Sequence, residues 1–310
     1  MTAMGVLCAR VRVEEKQIIA ALADAGVVAL PVPPASTPMP PGPASADLVT
    51  LGTRQHEHDG ETLHHALGTM IDRCQNRHIA ATLLPLLRLS GIEVIDAGLA
   101  ATGSRIEVAT VLVQAGIARP HAFVAMSEAT ALEAAARLGY PATLFPQDAG
   151  SLATALLDHD TAEAVIEHRV VLGDHSEAIM LLQAGAPQEA QRSRHHVIGG
   201  EVVAVEGALV EARAQELAVA AAGALGAKAI TVDIALADDQ VVVWDVLAVA
   251  DFRQATLVGS RSVSEAFAAL IVSDDRVPTA TTMEDVPVAM THEGWEVQVR
   301  DGVIGISLTA

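Results

Sequence analysis

The sequence has almost no lysine: among its 19 basic residues only Lys16 and Lys228 are lysines, against 38 acidic residues, and the formal net charge is −19. A nucleic-acid partner needs clustered cations to neutralise phosphates, so that class is excluded. An acidic protein partner is repelled overall, although Arg192 and Arg194 beside His195 and His196 make a local basic patch. Only two cysteines occur, Cys8 and Cys74, which provide neither a disulfide framework nor a metal-binding spacing. Each falls at an apolar strand, which predicts buried structural thiols. No run of eighteen or more apolar residues occurs, and the first residues lack a charged segment leading into a long apolar one. The expectation is a cytoplasmic protein with no membrane span.

Aromatic residues are 2% of the chain, yet 51% of it is hydrophobic, mostly as alanine and valine. Each small side chain buries little area, so a stable core needs many close helix contacts. At 310 residues there is room for two or three small domains.

Along the chain, strand-like and helix-like patterns alternate, which predicts an α/β fold. A strand at 4–8 leads to an amphipathic helix at 13–25 that stops at Gly26, then to a strand at 27–32. The proline cluster at 33–43 predicts an exposed loop, since neither helix nor central strand tolerates that density. A weak strand is expected at 47–53. His56, His58, His64 and His65 follow; without a second-shell pattern they read as solvated loop residues and are assigned no metal.

Further strands are expected at 66–71, 92–95, 122–125, 141–145, up to 157, 178–182, 195–198, 201–205, 229–236 and 241–246. Helices are expected at 76–89, 103–115, 127–138, 161–168, 210–225 and 262–272. Gly199-Gly200 and residues 237–240 predict hairpin turns. Residues 274–287 read as a linker, and 294–308 as a hairpin turning at Asp301-Gly302.

Several ordered pieces carry a family likeness: Arg73-Cys74, Gly91-Ile92, Gly103-Ser104-Arg105, Ala115-Gly116-Ile117 and Pro120, preceded by residues 7–16 with Arg10, Arg12, Glu14 and Glu15. This set resembles the ATP-grasp ligases, in particular the RimK-like branch and the amino-group-carrier ligases of lysine biosynthesis. The likeness covers residues 1 to about 273. It implies a pre-ATP-grasp α/β domain at 1–97, a central lid domain at 98–175 and a C-terminal ATP-grasp domain at 176–273. Residues 274–310 are then an additional linker and hairpin tail.

Such ligases join a carboxylate to an amine through an acyl-phosphate. The chemistry needs cations on the ATP phosphates, a glycine loop above them, and carboxylate or amide ligands for magnesium. By the resemblance, Arg105 replaces the first phosphate lysine, and Gly150 and Ser151 remain from the glycine loop. Gln183 stands at the adenine hinge and Arg194 near the phosphates. Asp233 and Asp245 match the metal-binding acids; exposed strand-end acids are the alternative reading of that pair, and surface residues that of Arg105 and Arg194.

Other positions depart from the pattern. The second phosphate lysine falls on Phe145 within Leu144-Phe145-Pro146, Asp148 enters the shortened loop, and an Arg-bearing loop between the strand at 201–205 and the next helix is missing. A metal-ligating asparagine falls on Leu247. Two functional classes follow. One is a catalytically degenerate member acting as a partner subunit, scaffold or non-hydrolysing ligand binder; the other is an active ATP- and magnesium-dependent carboxylate-amine ligase with a rebuilt phosphate site. ATP and Mg2+ are expected if the site works and no cofactor otherwise. A carrier protein or catalytic paralogue is a candidate partner, and a homo-oligomer is expected.

Overall fold

The structure is a computed structural model that describes residues 3–34, 67–89, 91–147, 152–173, 178–188, 191–237, 239–273, 295–300 and 303–308. Most of the proline cluster, the strand expected at 47–53, the four histidines, Asp148, Gly150, Ser151, the linker and the turn at Asp301-Gly302 lie outside those residues. The chain divides into two compact units, the first built from residues 1–75, 82–95 and 264–310 and the second from 76–81 and 96–263.

In chain order the first elements are β1 (Ala3–Leu7), α1 (Val13–Asp24), β2 (Ala29–Val32), β3 (Leu67–Asp72), α2 (Arg77–Leu89) and β4 (Glu93–Ile95). The strands form one sheet in the order β2-β1-β3-β4, parallel throughout. Parallel strands need crossovers and are covered on their faces, which explains their near-continuous apolar runs. Ile18 and Leu22, four apart on α1, are both fully buried.

Next come α3 (Leu99–Thr102), α4 (Arg105–Gln114), β5 (Ala122–Ala125), α5 (Glu128–Leu138), β6 (Ala142–Pro146), β7 (Thr154–Leu156), α6 (His159–Leu172) and β8 (Met180–Ala184). The strands make an antiparallel sheet ordered β5-β8-β6-β7. The helix expected at 103–115 is α4, which starts two residues later and is preceded by the separate turn α3. Gly103 ends the single turn of α3, and Ser104 caps α4: its Oγ accepts from Glu107 N at 3.2 Å, while Glu107 Oε2 accepts from Ser104 N at 2.7 Å. This capping box satisfies two amide donors at once, so the helix starts at Arg105.

The second unit continues with β9 (Arg192–Ile198), β10 (Glu201–Gly207), α7 (Ala212–Ala224), β11 (Ala229–Ala237), β12 (Gln240–Leu247) and β13 (Thr256–Leu257). These strands form an antiparallel sheet ordered β12-β11-β9-β10-β13. The short β13 was not foreseen, and β9 begins three residues earlier than expected. On α7, Ala214, Ala218, Ala221 and Ala222 are buried at helical spacing and let the helix lie close on the sheet. Between α7 and β11 the chain is clamped: Leu225 O accepts from Leu99 N, and Asp96 O accepts from both Lys228 N and Ala229 N, each at 2.9 Å. Gly98, at φ 58°, permits this, because a Cβ there would lie 2.0 Å from Leu225 O.

The last elements are α8 (Val263–Val272) and the antiparallel pair β14 (Trp295–Arg300) and β15 (Val303–Leu308). That pair is the expected tail hairpin. Among the described residues no helix is long and apolar enough to cross a membrane. Cys8 and Cys74 are buried and in no disulfide, as expected.

Candidate functional site

The site lies in the second unit and starts from strand pairing. Asp233 on β11 is directly opposite Asp245 on β12 and directly opposite Arg194 on β9, which in turn is opposite Glu206 on β10. Directly paired residues project from the same side of a sheet, so Asp245, Asp233, Arg194 and Glu206 form one rung across four strands. Two carboxylates facing each other repel, and the structure answers with two arginines. Arg105, at the start of α4, donates from Nη2 to Asp245 Oδ2 at 3.0 Å and from Nε to Oδ1 at 3.4 Å. Arg192, two residues before Arg194, donates from Nε to Asp233 Oδ1 at 3.3 Å and from Nη2 to Oδ2. Both are two-point guanidinium–carboxylate pairs, which hold geometry as well as charge.

Neither acid is an exposed strand-end residue. Asp233 is 2% exposed, and burial pushes its carboxyl above the ordinary value, with Arg192 working in the opposite direction. Arg105 is likewise buried rather than on the surface. Arg194 is half exposed and approaches Glu206 at 3.5 Å. His196, beside Glu206 at 3.6 Å, is the main influence holding that carboxyl low, against partial burial and with help from Arg194.

Beneath the charges is an apolar floor. Phe145 and Trp244 have ring centroids 6.0 Å apart and belong to a core with Leu181, Ala235 and Val242, against which Ile106 of α4 packs. The Arg105 guanidinium lies 5.2 Å from the Phe145 centroid, and that of Arg192 6.0 Å from Trp244. Such stacking suits arginine's planar cation. A cavity of about 370 Å3 opens above, lined by Arg105, Phe145, Arg192, Asp233, Trp244 and Asp245 among others. A second, of about 340 Å3, shares Arg192, Arg194 and Asp233 and adds Glu206.

The structure thus brings Arg105, Arg194, Asp233 and Asp245 together. Gln183 is different: its amide is fully buried, donating to Trp244 O at 3.2 Å and accepting from Arg119 Nη2 at 3.0 Å, so both ends are engaged inside the protein. Gly150 and Ser151 are outside the described residues. Sequence reasoning placed Arg192 in a basic patch with Arg194 but gave it no role at the site, and it missed Arg119. Arg192 was recoverable, since it alternates with Arg194 on a strand and shares its face; nothing in the sequence marked Arg119.

A magnesium ion takes a near-octahedral set of oxygens at short range. Here each carboxylate is engaged by a guanidinium, and Leu247, on the same cavity wall, offers no oxygen from its side chain. With both carboxylates held by arginines, the residues as placed offer the ion no open position.

No family model matches the sequence. Solved structures do. The RimK domain protein ATP-grasp from Sphaerobacter thermophilus DSM 20745 is 27% identical, with a TM-score of 0.67 over 87% of this chain and 100% of that one. The chain has the ATP-grasp fold. Two ATP-grasp-fold neighbours at lower identity share only the architecture: the ligase PsnB complexed with minimal precursor (14% identity, TM-score 0.62, 88% of this chain and 99% of that one) and the VanG D-Ala:D-Ser ligase from Enterococcus faecalis (16%, 0.62, 88% and 99%). In this ATP-grasp fold the antiparallel β5-β8-β6-β7 sheet and the five-stranded sheet supply Phe145 and the charged rung respectively.

Proposed function

We propose that this protein is a catalytically degenerate ATP-grasp-fold protein that binds a ligand, or serves as a partner subunit, without turning over ATP. The observation that carries the reading is the double ion pairing of Asp233 with Arg192 and Asp245 with Arg105. ATP-dependent ligation relies on positioning and on neutralising charge that develops at the phosphates, and a metal pair held by free carboxylates is part of that apparatus. Here the carboxylates are spent on the protein's own cations. Phe145, 2% exposed and built into the aromatic floor, stands where the resemblance expects a second phosphate lysine.

In this reading the three domains implied by the resemblance, 1–97, 98–175 and 176–273, remain the working division. A peptide partner is supported by PsnB, which is solved with its precursor peptide; a carrier protein or catalytic paralogue is the partner that the resemblance implies. The test is phosphate release from Mg-ATP across mixtures of carboxylates and amines. The expected result is no release above a protein-free control; release that depends on a carboxylate and an amine together establishes instead an active carboxylate-amine ligase with a rebuilt phosphate site.

A further inference from the structure

We propose that the site takes a phosphate-bearing nucleotide without a divalent metal, with the guanidinium groups of Arg105 and Arg192 supplying the positive charge that a metal would bring. The choice of a nucleotide rests on the ATP-grasp reading above; the metal independence rests on the site itself. A divalent ion entering between Asp233 and Asp245 would have to break two two-point ion pairs, one of them around an aspartate that is 2% exposed. Displacing Arg105 in particular would strip a guanidinium that is 6% exposed over Phe145 of the Asp245 charge. A phosphate asks for less. The guanidinium of Arg192, about a third exposed, is a fork of five donors that can turn N–H groups toward a phosphate oxygen while keeping its carboxylate, and Arg105, which also donates to Pro146 O at 3.4 Å, contributes its charge.

The charge balance points the same way. The larger cavity is lined by Arg105, Arg192 and Arg194 against Asp233 and Asp245, three positive groups to two negative, in a chain of net charge −19. With Glu206 paired to Arg194 at 3.5 Å the cluster as a whole is balanced, so the acidic excess of the chain is absent where the fold holds its cavity. Its volume of about 370 Å3 lies in the range of small-ligand sites.

The two possibilities predict opposite signs for one substitution. In a metal site Asp245 is a ligand, and Asp245→Asn weakens nucleotide binding. In a guanidinium site Asp245 competes with the phosphate for Arg105, and Asp245→Asn tightens binding, by about tenfold for one uncompensated charge of this kind. The experiment is calorimetric titration of the full chain with ATP, ADP and pyrophosphate, once in EDTA and once in Mg2+, together with Mn2+ alone followed by paramagnetic resonance. Expected are nucleotide binding in EDTA at least as tight as in Mg2+, no ordered Mn2+ signal, tightening in Asp245→Asn and weakening in Arg105→Leu. Binding only with Mg2+, loss of binding in Asp245→Asn, or no binding under either condition overturns the proposal. If Asp245→Asn does not fold, the EDTA comparison and the Mn2+ measurement on the unaltered chain decide it. Phosphate release in the ligation assay would overturn the degenerate reading while leaving metal-free binding in EDTA standing, so the two failures are told apart.

Discussion

Two regions of the molecule bury a carboxylate among arginines, and they resolve the conflict in opposite directions. In the first unit Glu15, on α1, is fully buried. Its Oε1 accepts from Arg12 Nη2 at 2.6 Å and from Arg73 Nε at 3.0 Å, and its Oε2 accepts from Arg12 N at 3.0 Å. Burial works to raise its pKa, but the Arg12 hydrogen bonds and the charge of Arg73 outweigh it and hold the carboxyl below its ordinary value. In the second unit Asp233 has one close arginine, with Asp245 opposite it, and burial wins: its carboxyl is pushed up. Two cations and a backbone amide make Glu15 a structural anchor. One cation and a facing carboxylate leave Asp233 poised, which is what a binding surface requires and a folding anchor does not.

If that contrast is right, the same amide substitution has unequal costs. Glu15→Gln takes from Arg73, 4% exposed, the larger of the carboxylate charges that favour its guanidinium, and breaking such a buried pair costs about 3 kcal/mol or more. Urea unfolding at neutral pH measures it; a loss below about 1 kcal/mol would make Glu15 an ordinary surface-type pair instead. The sign with pH follows from the lowered pKa. Stability from Glu15 is fully present above its unfolded value near 4.5 and is lost as pH falls through the lower folded value.

The next largest effect belongs to His195, fully buried on β9, with neither ring nitrogen hydrogen-bonded at normal geometry. Burial first, and then neighbouring His196, pushes it down to about 4 from an ordinary 6.5. The folded state therefore holds the ring neutral over a range in which the unfolded chain binds a proton. Stability is complete above pH 6.5 and is lost as pH falls toward 4, by about 2 kcal/mol at pH 5 relative to pH 7. The unfolding midpoint in urea at the two pH values checks this, and the difference should largely vanish in His195→Phe. A slope retained in that variant assigns the acid sensitivity to another group.

Asp233→Asn is smaller. The carboxylate is already disfavoured by burial, and Arg192, about a third exposed, can regain water once released. The expected change in unfolding free energy at pH 7 is within about 1 kcal/mol. A loss as large as that of Glu15→Gln would erase the distinction between anchor and binding surface. The raised pKa carries its own sign: Asp233 costs stability as pH rises from the ordinary value of 3.8 through its higher folded one, so Asp233→Asn should flatten that part of the profile.

Different parts of these two regions were legible for different physical reasons. The placement of Asp233 and Asp245 on neighbouring strands followed from two apolar strand patterns joined by a short polar turn, but their direct opposition did not: the register of the turn alone would set Asp233 against Trp244, and the shift at Asp233/Ile234 brings Asp245 there instead. The start of α4 was misplaced by two residues although its capping box, Ser104 and Glu107, is written in the sequence; the family pattern drew attention to Gly103 instead. Arg73 and Glu15 are 58 residues apart, and no local period relates them. Gln183 has the right identity for a hinge, but its commitment to Arg119 and Trp244 depends on side-chain packing that periodicity does not describe.

Arg194 supplies the smallest expected effect and the sharpest test of where the rung ends. It is 48% exposed, its contact with Glu206 is 3.5 Å, and an exposed ion pair contributes only about 0.2–1 kcal/mol. Arg194→Met keeps a long apolar stem over the sheet and should alter unfolding by no more than about 0.5 kcal/mol. Its position is another matter. Arg194 stands directly opposite Asp233 and lines both cavities, so its loss removes one of the three cations facing a bound phosphate. Binding of ADP in EDTA should weaken by about fivefold while the melting curve hardly moves, and added salt should narrow the gap between variant and parent because an exposed cation is screened. Unchanged binding would confine the anion site to Arg105 and Arg192 over the aromatic floor. A fall in stability with binding intact would make Arg194 part of the anchor rather than the surface.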